Sequence, residues 1–261
     1  MGILLKIAYD GSNYAGWQRQ KNAITISQTL EEALQRVFSV DFNDFNLLGA
    51  SRTDAGVHAL GQCAHVRFTE NTPECKIPAR ALPRVINANL PKDIVVVDAI
   101  FVDDNFHPIN DVVSKTYQYC VVNAVFSDPR RRNTAWHISH NLNFDAMTAS
   151  CQHFIGRHDF AAFCASGSVV KSTIRCINSL DLSLVENRNI GNIGGVDLLI
   201  NINGDGFLYN MVRIIAGTLV EIGEGKIVPN DIPSIIKSKN RKTAGRTAPA
   251  CGLTLMEIFY S

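Results

Sequence analysis

Residues Thr25 to Phe38 constrain the fold more than any other stretch of the chain. Thr25 and Gln28 have the spacing of a helix capping box, a hydroxyl followed three residues later by an amide. Ile26, Leu30, Ala33, Leu34, Val37 and Phe38 then fall at i, i+4, i+7, i+8, i+11 and i+12, a single apolar stripe along one helix face. Such a helix must lay its stripe on a sheet. The neighbouring segments supply strands at 4–9, 45–50, 62–68 and 94–102, with a second helix expected near 79–88. This half reads as an α+β sandwich.

The stretch 103–114 is polar and contains Pro108, and reads as a crossover between two domains, 1–107 and 108–261. Beyond it the spacing predicts a strand at 117–122 and a helix at 145–154 capped by Gly156. A hairpin of 179–185 with 196–203 is expected around the glycine-rich turn 189–195. The apolar run Met211–Ile222 is long enough for a buried helix, and 253–260 makes a last strand. No short-period repeat is present.

Composition excludes several classes. With 261 residues, 46% hydrophobic and 19% charged, the chain has the apolar content of folded domains and not of a disordered protein. A net charge of +1 argues against a general nucleic-acid coat and leaves room for a local basic groove. The N-terminus reaches Asp10 too soon for a signal peptide, and no apolar run approaches about 18 residues, so a cytoplasmic protein without membrane segments is expected. Cys63, Cys75, Cys120, Cys151, Cys164, Cys176 and Cys251 are odd in number and contain no Cys-x-x-Cys pair, which reads as free thiols in a reducing compartment. His58 and His65 are not at metal-ligand spacing, and no metal is expected.

The chemistry concentrates in Ser51-Arg52-Thr53-Asp54-Ala55-Gly56-Val57-His58. Asp-Ala-Gly alone is an ordinary surface turn, but a carboxylate at a strand end, two residues after an arginine, is a poor sequence for a core and a good one for a site. The loop 9–20 gathers Tyr9, Tyr14, Trp17, Gln18, Arg19 and Gln20. Its amides and arginine can bond bases and phosphates while rings stack, and Trp17 reads equally as a core anchor. Alternation sends Tyr117 and Tyr119 to one strand face, where they are either core or a platform for a base. Arg213 opens an apolar helix and needs a carboxylate, for which Asp54 is the candidate in the first half, unless it snorkels to solvent. Lys237, Lys239, Arg241, Lys242 and Arg246, with Arg130–Arg132, form either a solvated face or a phosphate-binding one.

Taken in order, these segments resemble the tRNA pseudouridine synthase A family. The resemblance is carried by Tyr9-Asp10-Gly11, 14–20 and 52–59, with Phe106-His107, Lys115-Thr116-Tyr117 and His158-Asp159-Phe160. Asn210-Met211-Val212-Arg213, Gly225-Lys226 and Thr247-Ala248-Pro249 complete it. It implies the pseudouridine synthase fold, two α/β-sandwich domains with largely antiparallel sheets and an active-site cleft between them. It also implies isomerisation of uridine to pseudouridine at positions 38–40 of the tRNA anticodon stem-loop by a homodimer without cofactor or metal. By the same resemblance Asp54 is the catalytic carboxylate, Arg52 fills the space left by the flipped base, Tyr117 stacks on that base and Arg213 pairs with Asp54. Arg19, Gln20, Lys239 and Arg241 are the candidate tRNA contacts. Ser51, Lys115, Pro108 and Ile214 depart from the family pattern. Lys115 lacks the planar fork of the usual arginine, which weakens the case for a bidentate contact there. Arginine beside Asp54 is expected to hold its carboxyl ionised.

Two other classes fit parts of the sequence. A two-carboxylate glycosidase would use Asp54 with a second acid such as Asp10, and would release free base. A non-catalytic RNA-binding module would lose little on Asp54→Asn.

Overall fold

Alternation along the first strand sends Ile3, Leu5 and Ile7 to one side, each at most 1% exposed. A computed structural model of the chain describes residues 2–69, 75–103, 105–167, 170–187 and 195–261. The polypeptide divides into two compact units, Met1–Val113 with Leu255–Ser261, and Ser114–Thr254.

The first unit runs β1 (Gly2–Tyr9), α1 (Ile26–Phe38), β2 (Phe45–Gly49), β3 (His58–Phe68), α2 (Leu82–Asn87) and β4 (Ile94–Val102), and regains the C-terminal strand (Leu253–Tyr260), from Leu255 onward, beside β3. β1 lies antiparallel between β3 and β4, and β2 pairs antiparallel with the outer half of β3. On α1 the stripe is buried at Ile26, Leu30, Ala33 and Leu34, while Phe38 meets Phe68 edge-on at 5.0 Å. Each sealed Ile or Leu contributes roughly 1.5–3 kcal/mol relative to exposure. Half of the expected capping box forms. Thr25 Oγ1 accepts from the Gln28 N–H at 3.4 Å, but the Gln28 amide donates to Glu32 instead of reaching back to the cap.

The helix expected at 79–88 resolves into a 3₁₀ turn, Ala79–Ala81, followed by α2 with Pro83 in its first turn. Asn87 then covers the outer strand. It accepts from the Val96 N–H at 2.8 Å and donates to the Val96 carbonyl at 2.9 Å, occupying backbone groups that an open sheet edge would offer to another chain.

The second unit holds β5 (Val112–Ala124) from Ser114 onward, β6 (Trp136–Ile138), α3 (Phe144–Cys151), β7 (Gly156–Asp159), β8 (Ile174–Asn187), β9 (Gly195–Gly204), α4 (Met211–Gly223) and α5 (Ile232–Ser238). Its sheet runs β5-β9-β8-β7 with antiparallel neighbours, and β6 lies parallel to β5. Tyr117, Tyr119, Leu198, Ile200 and Ile202 are buried on one face, as paired positions of β5 and β9. Of the thirteen residues of α4, all but Arg213 and Glu221 are buried.

Several expectations shift here. β5 extends beyond 117–122 at both ends, so the crossover expected to run to 114 gives way to strand at Val112. Gly156 does not cap α3: the helix closes in a 3₁₀ turn and Ile155 is already extended, so Gly156, at φ +103°, instead turns the chain into β7. β6 and β7, at three and four residues, are too short to show alternation in sequence. The hairpin of β8 and β9 forms as expected, while its turn lies, apart from Gly195, outside the described residues. The fold class is α+β with mostly antiparallel pairing. Among the described residues no helix is long and apolar enough to cross a membrane.

Candidate active site

Asp54 lies in the loop between β2 and β3, and three local features hold that loop. First, the Val57 N–H donates to the Asp54 carbonyl at 3.1 Å, closing a four-residue turn whose third residue, Gly56, has φ +76° as a type II turn requires. Second, Gln62 on β3 grips Ser51, donating to its carbonyl at 2.7 Å and accepting its N–H at 3.3 Å. Third, the segment 14–17 lies against the loop backbone. Trp17 N–H donates to the Thr53 carbonyl at 3.0 Å and Gly56 N–H donates to the Tyr14 carbonyl at 3.3 Å. A Cβ on Gly16 would stand 2.6 Å from the Thr53 carbonyl oxygen, so only glycine permits this approach. The result is a half-buried Asp54 between a buried Thr53 and an exposed Ala55, with Arg52 exposed. A half-buried carboxylate on a pinned backbone can meet a substrate and still be screened from part of the solvent.

The aromatics of the 9–20 loop resolve as core. Trp17 is 2% exposed and lies under Gly49, and Tyr14 is buried with its hydroxyl donating to Asp93 at 2.8 Å. Burial, then the Asp93 hydrogen bond, pushes the Tyr14 hydroxyl far above its ordinary range. Arg19 pairs with Glu31 at 2.7 Å and lies over the Phe42 ring at 4.6 Å, and Gln20 donates to the Ala15 carbonyl. Asp10 shapes its own turn by accepting the Ser12 N–H at 2.9 Å and hydroxyl at 2.5 Å. Its burial raises the carboxyl, but the Ser12 bonds together with His58, 3.2 Å away, outweigh that and hold it below the ordinary range. An ionised acceptor is the wrong form for a general acid.

In the second unit Tyr117 is buried on β5, edge-on to Phe207 at 5.3 Å. Tyr119 points its hydroxyl to the Pro249 carbonyl at 2.8 Å, and burial raises that hydroxyl well beyond the range in which it would ionise. Arg213 sits in the first turn of α4. Its Nε donates to the Ala248 carbonyl at 2.8 Å and its Nη1 to Asn210 Oδ1 at 2.7 Å, which fixes the plane of the guanidinium. Asn210, in the left-handed region at φ +59°, gives its side chain to Arg213 instead of capping the helix. The basic run divides by role. Lys239 pairs with Asp159 at 2.8 Å, whereas Arg241 folds back on the Ala244 and Gly245 carbonyls and the Thr247 hydroxyl.

Sequence reading missed the supporting contacts: Tyr9 to Thr53, Gly16 against the Asp54 loop, and Asn210 to Arg213. Each residue lies in a motif that carries the resemblance, but only Asn210 and Arg213 share one, so nothing local in the sequence pairs the others. All seven cysteines are free thiols, and among the described residues no three His, Cys, Asp or Glu side chains gather as a metal site.

A family model described as tRNA pseudouridine synthase matches residues 6–109 and 150–261. A protein of Thermoanaerobacter sp. (strain X514), called tRNA pseudouridine synthase A, is 47% identical over 258 residues, covering 99% of each chain. Proteins of the same name from Acetivibrio thermocellus and Geotalea daltonii are 45% and 42% identical, also over 99% of each chain.

Proposed function

Because the chain belongs to the tRNA pseudouridine synthase family, we propose that it isomerises uridine to pseudouridine in tRNA, with Asp54 as the essential group. The observation that carries this reading is the full-length similarity to the named synthases, in a chain whose Asp54 is half-buried on a loop pinned from both sides. The substrate positions are uridines 38–40 of the anticodon stem-loop, the enzyme is a cytoplasmic homodimer, and its free thiols fit a reducing compartment.

The reaction breaks the bond from ribose C1′ to uracil N1, turns the base and joins C1′ to C5. The C5 proton is lost and N1 gains one. Substrate and product are isomers, so no oxidant, reductant or group donor enters. Asp54 serves as nucleophile on the sugar or the base, or as the group that moves the proton. The target base must leave its stack to be reached. Arg52, exposed beside Asp54, fills the vacated space, Tyr117 stacks on the base, and Arg213 pairs with Asp54 and keeps it ionised. Arg19, Gln20, Lys239 and Arg241 are the tRNA contacts of this reading.

The test is tritium release from tRNA transcripts carrying C5-tritiated uridine. The native protein is expected to release it and Asp54→Asn to bind the same tRNA without release. Release by Asp54→Asn at the native rate, or none by the native protein on any tRNA, overturns the reading.

A further inference from the structure

The segment Gly245–Pro249 lies along α4 as a strap, held by helix residues spaced three to five apart. Gly245 N–H donates to Thr218 Oγ1 at 3.0 Å, and Arg246 N–H donates to Glu221 Oε1 at 3.1 Å. A Cβ on Gly217 would stand 1.9 Å from the Arg246 carbonyl oxygen, so the strap touches the helix backbone at that point. Two residues on, Ala248 exchanges hydrogen bonds with Arg213: its N–H donates to the Arg213 carbonyl at 3.1 Å and its carbonyl accepts Arg213 Nε at 2.8 Å. The far end is tied by the Tyr119 hydroxyl at the Pro249 carbonyl.

Glu221 and Arg213 are therefore the two ends of one attachment, and they are the two residues of α4 that are not buried. They are eight residues apart, about 12 Å along the helix axis. Each end does what an apolar side chain cannot: Glu221 accepts a strap N–H and faces the Arg246 guanidinium at 3.9 Å, and Arg213 takes its orientation from the strap carbonyl.

We propose that Glu221 is a positioning residue for the reaction, acting through the strap to set the plane of the Arg213 guanidinium. This rests on the reading that Arg213 serves Asp54. Without the Glu221 carboxylate the Arg246 N–H loses its acceptor, the strap shifts along α4, and the Ala248 carbonyl no longer fixes Arg213 Nε.

Tritium-release kinetics on tRNA test this with Glu221→Ala, Glu221→Gln, Arg213→Ala and the double variant Glu221→Ala/Arg213→Ala, each assayed well below its own melting midpoint. Glu221→Ala is expected to lower kcat about tenfold or more while KM for tRNA stays within about twofold, since a misplaced group costs rate more than binding. Glu221→Gln keeps an oxygen for the Arg246 N–H and is expected to recover part of the rate. In the Arg213→Ala background Glu221→Ala is expected to cost no further kcat, because the group it positions is gone. An equal loss in both backgrounds, or a native kcat in Glu221→Ala beside a collapsed Arg213→Ala, overturns the inference while leaving the role of Arg213 intact. A native kcat in Arg213→Ala overturns that role and this inference with it.

Discussion

The hydroxyls of Tyr9 and Thr53 lie 2.7 Å apart in a buried contact between positions 44 residues apart in sequence, and Thr53 immediately precedes Asp54. The bond ties the end of β1 to the loop that carries the carboxylate. Tyr9→Phe removes one hydroxyl and leaves the ring in place against Trp17, 6.2 Å away between centroids. It is expected to cost about 1 kcal/mol in stability, read as a lower urea midpoint at unchanged slope. Tritium release should slow by more than that stability loss explains, because the loop is freed beside Asp54.

Gly16 and Gly167 separate conformational strain from contact. Both have positive φ, +94° and +87°, but a Cβ on Gly16 would strike the Thr53 carbonyl at 2.6 Å whereas one on Gly167 would meet nothing within 4 Å. Gly167→Ala is expected to cost about 1 kcal/mol from backbone conformation alone. Gly16→Ala should cost clearly more and lower activity, because relieving the clash moves the Asp54 loop. Paired urea titrations and tritium-release rates check both.

Glu224 sets an acid limb of the stability curve. Burial raises its carboxyl, but hydrogen bonds from Lys226, Arg246 and His140 outweigh this and bring it from 4.5 down to about 2. A folded-state value below the unfolded one stabilises the protein above about pH 4.5, and that contribution is lost progressively as the pH falls towards 2. Glu224→Gln should therefore be less stable than the native protein at pH 7, with the two converging as the pH drops. Urea midpoints at pH 7, 4 and 3 give the comparison, and a constant gap across that range would remove the carboxylate as its cause.

Lys239 and Arg241, two residues apart, should respond differently to alanine. Arg241 bonds two carbonyls and a hydroxyl of its own loop, so Arg241→Ala is expected to lower stability by about 1–3 kcal/mol. Lys239 makes one exposed ion pair with Asp159, and Lys239→Ala should change stability by no more than about 1 kcal/mol. If Lys239 meets phosphate, its loss lowers the salt dependence of tRNA binding by about one unit of log–log slope. Unchanged affinity and slope would leave it a solvated surface lysine.

The sequence by itself determined the elements whose signal is local. The stripe from Ile26 to Leu34 placed α1, a short apolar run ended by the Asp10-Gly11 turn placed β1, and a longer unbroken apolar run placed α4. The Asp54 turn was legible because Gly56 supplies a positive φ that few other residues adopt. Tertiary structure alone decided what depends on residues far apart in the chain. It returned the C-terminal strand to the first unit beside β3, and it sent Trp17 beneath Gly49 as core, an alternative the residues had left open. It also joined Tyr9 to Thr53, Glu221 to Arg246, and Arg213 to Ala248. Periodicity reports which face of an element is apolar, because burial of that face repeats with the backbone. A hydrogen bond made by a single side chain has no period, so its partner is fixed only when the packed elements bring donor and acceptor to about 3 Å.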